Sequence, residues 1–557
     1  MRPVRLRIGD DAAPFREGAA RVGGLELLAD VSEEGSGIRV ELTVRHPAGR
    51  GAKDHAVAVD SVALELEGAP ELVLEHGWQS WSVVRRCRPD DVRPERLDAP
   101  GLGRATHFAH PQGAGRVVAG DQFLLTTDGV AGFLDGRRHL STVEAHPAQG
   151  VLRAVALLDG VEVGVGEERR LDPLWLADGD PGPLYSEYAA RWGAEAGARA
   201  GTLGPSGWCS WYQYFWLVRP EDVRANLALA AGHGLEVVQV DDGYQAAIGD
   251  WLATNERWAE GTAPMAAEIA RAGARPGIWT APFLAGKTSA LAALHPDWMV
   301  RHATGSPLRA MYNPVAWGGW AWALDTTRPE VLDHLRETYA ALVAQGWTYH
   351  KIDFCYAAAL PGGRATGASV TRAQALRAGL DAVRQGIGDD AFLVGCGCPL
   401  AQAVGCVDAM RVSPDVAPHW EPRSSWPGLE ETAVAARNAV SASLLRAPLH
   451  RRLWVNDPDC VLLRSSATEL TGEQRRRLAA VVDGTGGFTV VSDDLSLYGA
   501  EEWAALDQLL SRRQAADTPL TLTDPFGPGA AVGSPCHSLD VAWDEGPVHA
   551  DPAVPPR

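Results

Sequence analysis

Eight short apolar segments, separated by helical patterns, dominate the middle of this 557-residue chain. Short apolar runs of this kind are typical of buried strands, and their alternation with helices favours a parallel sheet. Eight such units across about residues 200–500 predict a (β/α)8 barrel, a fold that usually needs about 250 residues and tolerates insertions. The segments are 207–211, 237–242, 276–279, 349–353, 392–396, 409–413, 453–457 and 488–492.

The flanking regions lack this alternation of strands and helices. In residues 1–185, short strand-like runs are punctuated by Gly and Pro, and Val62, Leu64 and Leu66 share one face of the clearest run. This pattern predicts antiparallel β structure, most simply a sandwich. Alternation over 519–523 predicts a late strand. We therefore expect a β-sandwich over 1–185, a catalytic (β/α)8 barrel over 186–500, and a short C-terminal β region and tail over 501–557.

Composition and charge narrow the possible partners and compartment. A net charge of -19 argues against nucleic acid and anionic membranes as main partners. We identify no secretory signal after the first residues and no run of about 18 apolar residues that could span a membrane. The 8 cysteines are scattered, so we expect reduced thiols in a cytoplasmic protein.

Carboxylates occur at or just beyond the ends of several predicted strands. They are Asp241, Asp242, Asp353, Asp415 and Asp457. Catalytic groups of (β/α)8 barrels lie at the C-terminal ends of the strands. Because a buried carboxylate is costly without partners, their convergence indicates either a metal or a polyhydroxylated ligand.

The metal alternative has little support in the sequence. The chain has no His-Glu-x-x-His motif, and the spacing of Cys396, Cys398 and Cys406 does not suit a closed zinc site. We therefore expect no metal and no organic cofactor. Cys396 ends a predicted strand and is a candidate lining residue of the pocket.

Two of the carboxylates fit glycoside cleavage, which needs one acid on each side of the scissile bond. Lys351 precedes Asp353 by two positions, and a nearby cation favours the ionised form that a nucleophile needs. Arg411 precedes Asp415, whose apolar surroundings suit a general acid. Local sequence leaves two alternatives open: Lys351 as a solvated surface charge and Asp415 as a turn residue after Pro414.

Tryptophans add a second signal for a sugar ligand. The chain contains 20 of them, many at predicted strand ends or in loops. Sugar rings present apolar faces that pack on aromatic rings. A tryptophan is nevertheless most often a packing residue, so the sequence allows Trp279 to be either a core residue or part of the pocket wall.

The motifs occur in a definite order along the chain. They are HGWQSW at 76–81, GWCSWY at 207–212, QVDDGYQ at 239–245, GDW at 249–251, GIWTAPF at 277–283, KIDF at 351–354, GCG at 395–397, RVSPD at 411–415 and NDPD at 456–459. Together, over roughly residues 70–495, they resemble the α-galactosidases of glycoside hydrolase family 36, in the melibiase-like clan. Two departures are Cys398, directly after GCG, and the short segment of about 50 residues left for a C-terminal β-domain.

The resemblance implies an exo-acting, retaining α-galactosidase that works by double displacement on a small carbohydrate substrate. Asp353 would be the nucleophile and Asp415 the acid and then the base. The pair Asp241 and Asp242 would bind the O4 and O6 hydroxyls of galactose. The remaining implied sugar-binding residues are Lys351 and Arg411 for ring hydroxyls, Trp279 as a wall, and Trp78 or Trp81 as a closure from the N-terminal domain. A homo-oligomer would be compatible with the resemblance.

Three alternatives share this fold. A transglycosylase or an α-N-acetylgalactosaminidase would differ in the loops around the pocket. A non-catalytic carbohydrate-binding barrel is disfavoured because both Asp353 and Asp415 are present.

Overall fold

The structure is a computed structural model of the chain. It describes residues 1–48, 55–91, 117–201, 204–423, 430–516, 518–534, 537–542 and 548–551. Among these residues, no helix combines the length and the apolar character that crossing a membrane requires.

The N-terminal part is a mostly antiparallel sheet of 15 strands, as the sequence predicts. Strands from both ends of the sheet contribute to one apolar core, for example Leu6 and Leu27. The strands are β1 Arg2–Ile8, β2 Asp11–Pro14, β3 Gly18–Val22, β4 Leu25–Glu34, β5 Gly37–Arg45, β6 Val57–Glu67, β7 Val73–His76, β8 Val84–Cys87, β9 Val118–Asp121, β10 Phe123–Thr126, β11 Gly129–Phe133, β12 Leu140–His146, β13 Val151–Val163, β14 Glu168–Arg170 and β15 Leu174–Asp178.

The middle of the chain forms an 8-stranded parallel sheet that curls in the manner of a TIM barrel. All eight predicted segments contribute a strand, and the order β16-β17-β18-β22-β23-β24-β25 follows the chain, with β26 beside β16. The last two strands approach each other, since the Phe488 N–H donates to the Asn456 carbonyl at 3.3 Å. The strands of this region, with an insertion from β19 to β21, are β16 Ser206–Cys209, β17 Val237–Val240, β18 Arg275–Thr280, β19 Leu284–Gly286, β20 Arg309–Asn313, β21 Gly319–Ala323, β22 Tyr349–Ile352, β23 Phe392–Gly395, β24 Ala409–Arg411, β25 Val455–Asp457 and β26 Thr489–Val491.

Helices connect these strands and pack outside the sheet. The predicted amphipathic helix is present as Pro329–Ala344, with Val331, Leu335, Tyr339 and Leu342 buried. The α-helices are α1 Pro181–Ala196, α2 Trp211–Tyr214, α3 Pro220–Gly232, α4 Ala263–Arg271, α5 Ala290–Leu294, α6 Pro329–Ala344, α7 Arg372–Ile387, α8 Leu400–Ala403, α9 Ala436–Leu445, α10 Gly472–Gly484 and α11 Ala500–Ala516.

The C-terminal part is a small antiparallel sheet of four strands. The alternation over 519–523 gives only the short strand β27, and the predicted tail after 551 lies outside the described residues. The strands are β27 Thr521–Leu522, β28 Gly529–Ser534, β29 His537–Ala542 and β30 Val548–Asp551.

A loop after β7 carries the HGWQSW motif from the N-terminal sheet onto the parallel sheet. Within it, Ser80 N–H donates to the Cys398 carbonyl at 3.3 Å. The buried guanidinium of Arg446 holds the same loop: its Nη1 donates to the carbonyls of Ser80 at 2.7 Å and Val412 at 2.8 Å. One side chain thus joins the loop to the segment between β24 and Asp415.

Candidate active site

A pocket of about 230 Å³ opens at the C-terminal ends of the parallel strands. Four predicted carboxylates reach it from three strands: Asp241 and Asp242 directly after β17, Asp353 directly after β22, and Asp415 four residues beyond β24. The remaining described lining residues are Trp81, Trp211, Trp279, Met311, Asn313, Trp317, Lys351, Phe354, Thr432 and Val434. The residues that sequence analysis placed at strand ends therefore converge on one cavity.

Asp353 is buried, and each of its carboxylate oxygens accepts a hydrogen bond. Trp279 Nε1 donates to Oδ2 at 3.0 Å, and the Phe354 N–H donates to Oδ1 at 2.7 Å. Burial raises the pKa of Asp353 above its ordinary value, while the Lys351 charge and the Trp279 hydrogen bond oppose the shift. These donors fix the orientation of the carboxylate.

Asp415 is the more exposed acid, with 30% of its side chain accessible, and it accepts from Arg411 Nη1 at 3.2 Å. Burial in the pocket wall and the negative charge of Asp459 raise the pKa of Asp415 to about 7, although Arg411 and Lys351 oppose this. Such a carboxyl group is protonated below neutral pH. A raised pKa of this kind is the property that a general acid needs.

Lys351 lowers the pKa of Asp353 through its charge, as the sequence indicates, but its hydrogen bond goes to another carboxylate. The Lys351 ammonium donates to Asp241 Oδ2 at 3.0 Å, across the strand that separates β22 from β17. Gln239 Nε2 donates to the same oxygen at 2.5 Å. The alternative of a solvated surface charge is wrong, because Lys351 is only 6% exposed. Its hydrogen-bonded partner is one of the two acids of the QVDDGYQ motif.

Asp242 is held by two neutral donors. Gln245 Nε2 donates to Oδ1 at 2.5 Å and Trp317 Nε1 donates to Oδ2 at 2.8 Å. Burial raises the pKa of Asp242 to about 6, and both hydrogen bonds oppose the rise. Since a carboxylate has about four acceptor sites, Asp242 retains capacity for a ligand hydroxyl.

The three tryptophans named from the sequence lie in different positions. Trp279 lines the pocket and also packs edge-on against Trp251 at 5.7 Å, so it is both core and wall. Trp81 lines the pocket and contacts Phe354 at 5.1 Å between ring centroids. Trp78 is buried, 1% exposed, and is not among the described lining residues.

Arg411 and Cys396 lie behind the described lining rather than on it. The Arg411 guanidinium is 3% exposed and forms ion pairs with Asp457 at 3.1 Å, Asp459 at 2.8 Å and Asp415. Cys396 is buried, and burial raises the pKa of its thiol well above the ordinary value. A direct contact of either residue with a sugar remains a prediction. The seven described cysteines are free thiols.

The insertion between β18 and α6 contributes lining residues that no sequence motif indicates. Its strands β19–β21 bring Met311, Asn313 and Trp317 to the pocket. Trp317 belongs to a Gly- and Trp-rich stretch, but no local pattern shows that its indole reaches Asp242. Trp211 lies in the GWCSWY motif, which assigns it no role, and it lines the pocket. Thr432 and Val434 come from a segment without a recognisable motif.

Known proteins are similar in sequence to the part of the chain that forms the first strands of the parallel sheet. The Melibiase family matches residues 210–378. The α-galactosidase of Escherichia coli is 24% identical over 152 residues, 26% of this chain and 20% of the relative. The bifunctional α-galactosidase/sucrose kinase AgaSK of Mediterraneibacter gnavus is 27% identical over 22% of this chain and 13% of its own length. The matching segments thus span about a fifth or less of these relatives.

Solved structures extend the similarity to nearly the whole chain. An α-galactosidase of Thermus thermophilus, determined with stachyose, is 29% identical with a TM-score of 0.71, covering 92% of this chain and 100% of the neighbour. The family 36 α-galactosidase AgaA of Geobacillus stearothermophilus shares the fold, with a TM-score of 0.62 at 14% identity over 96% of this chain and 80% of its own.

By its fold, by the Melibiase match over residues 210–378 and by these relatives, the chain is similar to glycoside hydrolases of the α-galactosidase type. The resemblance to family 36 that the sequence motifs indicate is confirmed.

Proposed function

We propose that this protein is a retaining exo-α-galactosidase that releases terminal α-linked galactose from oligosaccharides or simple galactosides. The observation that carries the proposal is the convergence of Asp353 and Asp415 on one pocket that also holds the Asp241–Asp242 pair. We further propose a closed (β/α)8 barrel over 186–500, a β-sandwich over 1–185 and a C-terminal β region over 501–557. The Phe488–Asn456 hydrogen bond supports closure of the barrel.

In the first step, an Asp353 carboxylate oxygen attacks the anomeric carbon and the glycosidic bond breaks. Trp279 Nε1 and the Phe354 N–H hold the two oxygens in place, so little reorganisation is needed before attack. Asp415 transfers its proton to the departing oxygen, which leaves as an alcohol. The product of this step is a galactosyl ester of Asp353 with inverted configuration.

In the second step, Asp415 accepts a proton from water while the water oxygen attacks the same carbon. Formation of the ester removes the negative charge of Asp353, which is one of the charges that raise the pKa of Asp415. The pKa of Asp415 therefore falls when it must act as a base. As water attacks, the bond between the anomeric carbon and Asp353 breaks and the carboxylate of Asp353 is restored. This second inversion releases galactose with net retention of configuration.

Selectivity for galactose is assigned to Asp241 and Asp242, as acceptors for the O4 and O6 hydroxyls. Lys351 and Gln239 hold Asp241, and Trp317 and Gln245 hold Asp242, so neither carboxylate can turn freely toward another partner. A sugar without the axial hydroxyl would leave a buried acceptor unpaired, at a cost of about 1–3 kcal/mol.

The test is a panel of aryl α-galactosides, α-glucosides and α-N-acetylgalactosaminides. We expect hydrolysis of the galactoside at least tenfold faster than of the others, with α-galactose as the first sugar seen by NMR. Asp353→Asn should abolish turnover while the melting temperature is maintained.

Four outcomes would count against parts of the proposal. Preference for the acetamido sugar would support the alternative hydrolase, and β-galactose as first product would indicate inversion. Near-normal turnover by Asp353→Asn would remove the proposed nucleophile. A wild-type protein that binds galactose without hydrolysing any glycoside would instead be a carbohydrate-binding barrel.

A further inference from the structure

Asp459 is a buried carboxylate directly behind Asp415, and it has no role in the two proposed reaction steps. It lies two residues after β25, its side chain has 0% exposure, and its backbone is in the left-handed region with φ 78°. Aspartate tolerates this backbone region better than most residues, yet a non-glycine residue there is uncommon. Its position is therefore held by its surroundings.

Each oxygen of the Asp459 carboxylate has two partners, which together make three hydrogen bonds and one ion pair. Arg411 Nη2 lies 2.8 Å from Oδ1, and the Cys460 N–H donates to the same oxygen at 2.7 Å. The Val416 N–H donates to Oδ2 at 2.8 Å, and the Tyr212 hydroxyl donates to it as well. A carboxylate has about four acceptor sites, so three hydrogen bonds and one ion pair leave the Asp459 carboxylate little freedom to turn.

Two of these four contacts lead directly to Asp415. Arg411 also donates through Nη1 to Asp415 Oδ1, at 3.2 Å. Val416 is the next residue in the chain, so its hydrogen bond to Asp459 fixes the backbone that carries the Asp415 side chain. Asp459 therefore restrains Asp415 both through its cationic partner and through its backbone.

We propose that Asp459, supported by Tyr212, is a positioning residue that orients Asp415 toward the leaving group. The inference rests on the proposed glycosidase function. The negative charge of Asp459 also contributes to Asp415 being a proton donor, since it is the largest cause after burial of the raised pKa of Asp415. Removing this charge should lower that pKa, because Arg411 would then act on Asp415 with less opposition.

Asp415 is surrounded by groups that could also influence its titration. The charged or ionisable side chains that face it are Tyr212, Lys351, Asp353, Cys396, Arg411 and Asp459. Asp459 differs from the other carboxylate, Asp353, because it bonds both to Arg411 and to the backbone of Val416. Its substitution can therefore change the acid step while leaving the nucleophile in place.

The test compares leaving groups in Asp459→Asn, since asparagine also tolerates a positive φ. Dinitrophenol departs without a proton, whereas an alkyl or sugar leaving group needs one. General acid catalysis contributes about 10²–10⁴-fold. We expect kcat/KM to fall by roughly tenfold or less for dinitrophenyl α-galactoside but by about a hundredfold or more for an alkyl α-galactoside. The alkaline limb of the pH profile for the alkyl substrate should move to lower pH.

Asp493 provides a matched control. It is a buried aspartate two residues after β26 that accepts from Arg464 Nη1 at 2.7 Å, from the Leu463 N–H at 2.7 Å and from the Tyr498 hydroxyl at 2.8 Å. Asp493→Asn should lower stability comparably and reduce the rates for both substrates by the same factor. The difference between the two variants separates positioning of the acid from general loss of packing.

Tyr212→Phe is the second variant and removes one donor from Asp459 while retaining the ring. It should show the same dependence on the leaving group, to a smaller degree. If Asp459→Asn does not fold, Tyr212→Phe tests the positioning role of Asp459. If kcat/KM falls by the same factor for both substrates in a correctly folded variant, the positioning role of Asp459 is wrong, while the proposed glycosidase function is unaffected. Absence of turnover in the wild type on every galactoside would overturn the proposed function and this inference with it.

Discussion

Single side chains of this pocket are defined by partners that are distant in sequence. Lys351 lies two positions from Asp353, yet its ammonium binds Asp241, 110 positions away. Asp353 instead accepts from Trp279, on the neighbouring strand, and from the Phe354 N–H. Burial raises the pKa of Asp353 and that of Asp415, but only Asp415 faces the additional charge of Asp459 as a leading cause. The two acids thus differ through their surroundings.

The pH dependence of hydrolysis follows from these shifts. Since Asp415 must be protonated and its pKa is raised to about 7, we expect kcat/KM to fall about tenfold per pH unit above pH 7. Since Asp353 must be ionised and its pKa is raised from 3.8, activity should also fall on the acid side, at a pH above 3.8. Initial rates for an alkyl galactoside at low substrate concentration measure both limbs, and a flat profile up to pH 9 would contradict the role of Asp415.

At the scale of elements, the insertion between β18 and α6 adds a wall that the parallel strands alone do not provide. The pair β20 and β21 is antiparallel, and the turn between them holds Trp317, whose indole donates to Asp242 at 2.8 Å. This hydrogen bond opposes the rise in the pKa of Asp242 that burial causes. The hairpin therefore helps to keep one of the proposed sugar-binding acids ionised.

Trp317→Phe should weaken substrate binding more than catalysis. Loss of a hydrogen bond to a charged group costs about 1.5–3 kcal/mol, so KM should rise roughly tenfold or more. Because the pKa of Asp242 would rise above about 6, the defect should be larger at pH 6 than at pH 8. Trp320→Phe is the control: Trp320 lies in the same hairpin but packs at a tilt against Tyr312, with ring centroids 4.6 Å apart, so this variant should leave KM within about twofold. An equal change in both variants would contradict the role of the indole N–H.

At the scale of the whole molecule, the pocket depends on contact between the N-terminal and parallel sheets. Trp81 comes from the loop after β7, and Arg446 joins that loop to the segment that precedes Asp415. The guanidinium is buried, and burial lowers the pKa of Arg446 to about 10. A buried cation bonded to backbone carbonyls is costly, which indicates that the junction requires it.

Arg446→Met should therefore lower both stability and substrate affinity. Carbonyl groups of Ser80 and Val412 would lose their donor, at a cost of about 1–3 kcal/mol each, and Trp81 would be held less firmly. We expect a lower melting temperature together with a KM raised at least fivefold. Arg452→Met, which removes a donor to the Pro448 carbonyl at 3.0 Å, should lower stability with little change in KM. A normal KM in a folded Arg446→Met protein would contradict this account of the junction.

The sequence alone determined the order of the eight parallel strands and the presence of carboxylates at their C-terminal ends. It could do so because strand length, apolar character and the residue that follows each strand are local properties. The convergence of Asp241, Asp353 and Asp415 follows from that order, since parallel strands end at one edge of the sheet. Their assignment to a galactosidase pocket came from the combination of motifs.

Only the tertiary structure decided which partner each charge has and which tryptophan lines the pocket. The partner of a charged group depends on distances between separate elements, as in the pairs of Lys351 with Asp241 and of Trp317 with Asp242. The same holds for the lining of the pocket, which includes Trp81 and not Trp78. Such distances are set by strand register, by an inserted hairpin and by the contact between two sheets. No periodicity within a single segment encodes them, because hydrogen bonds and ion pairs require positions in space that packing alone defines.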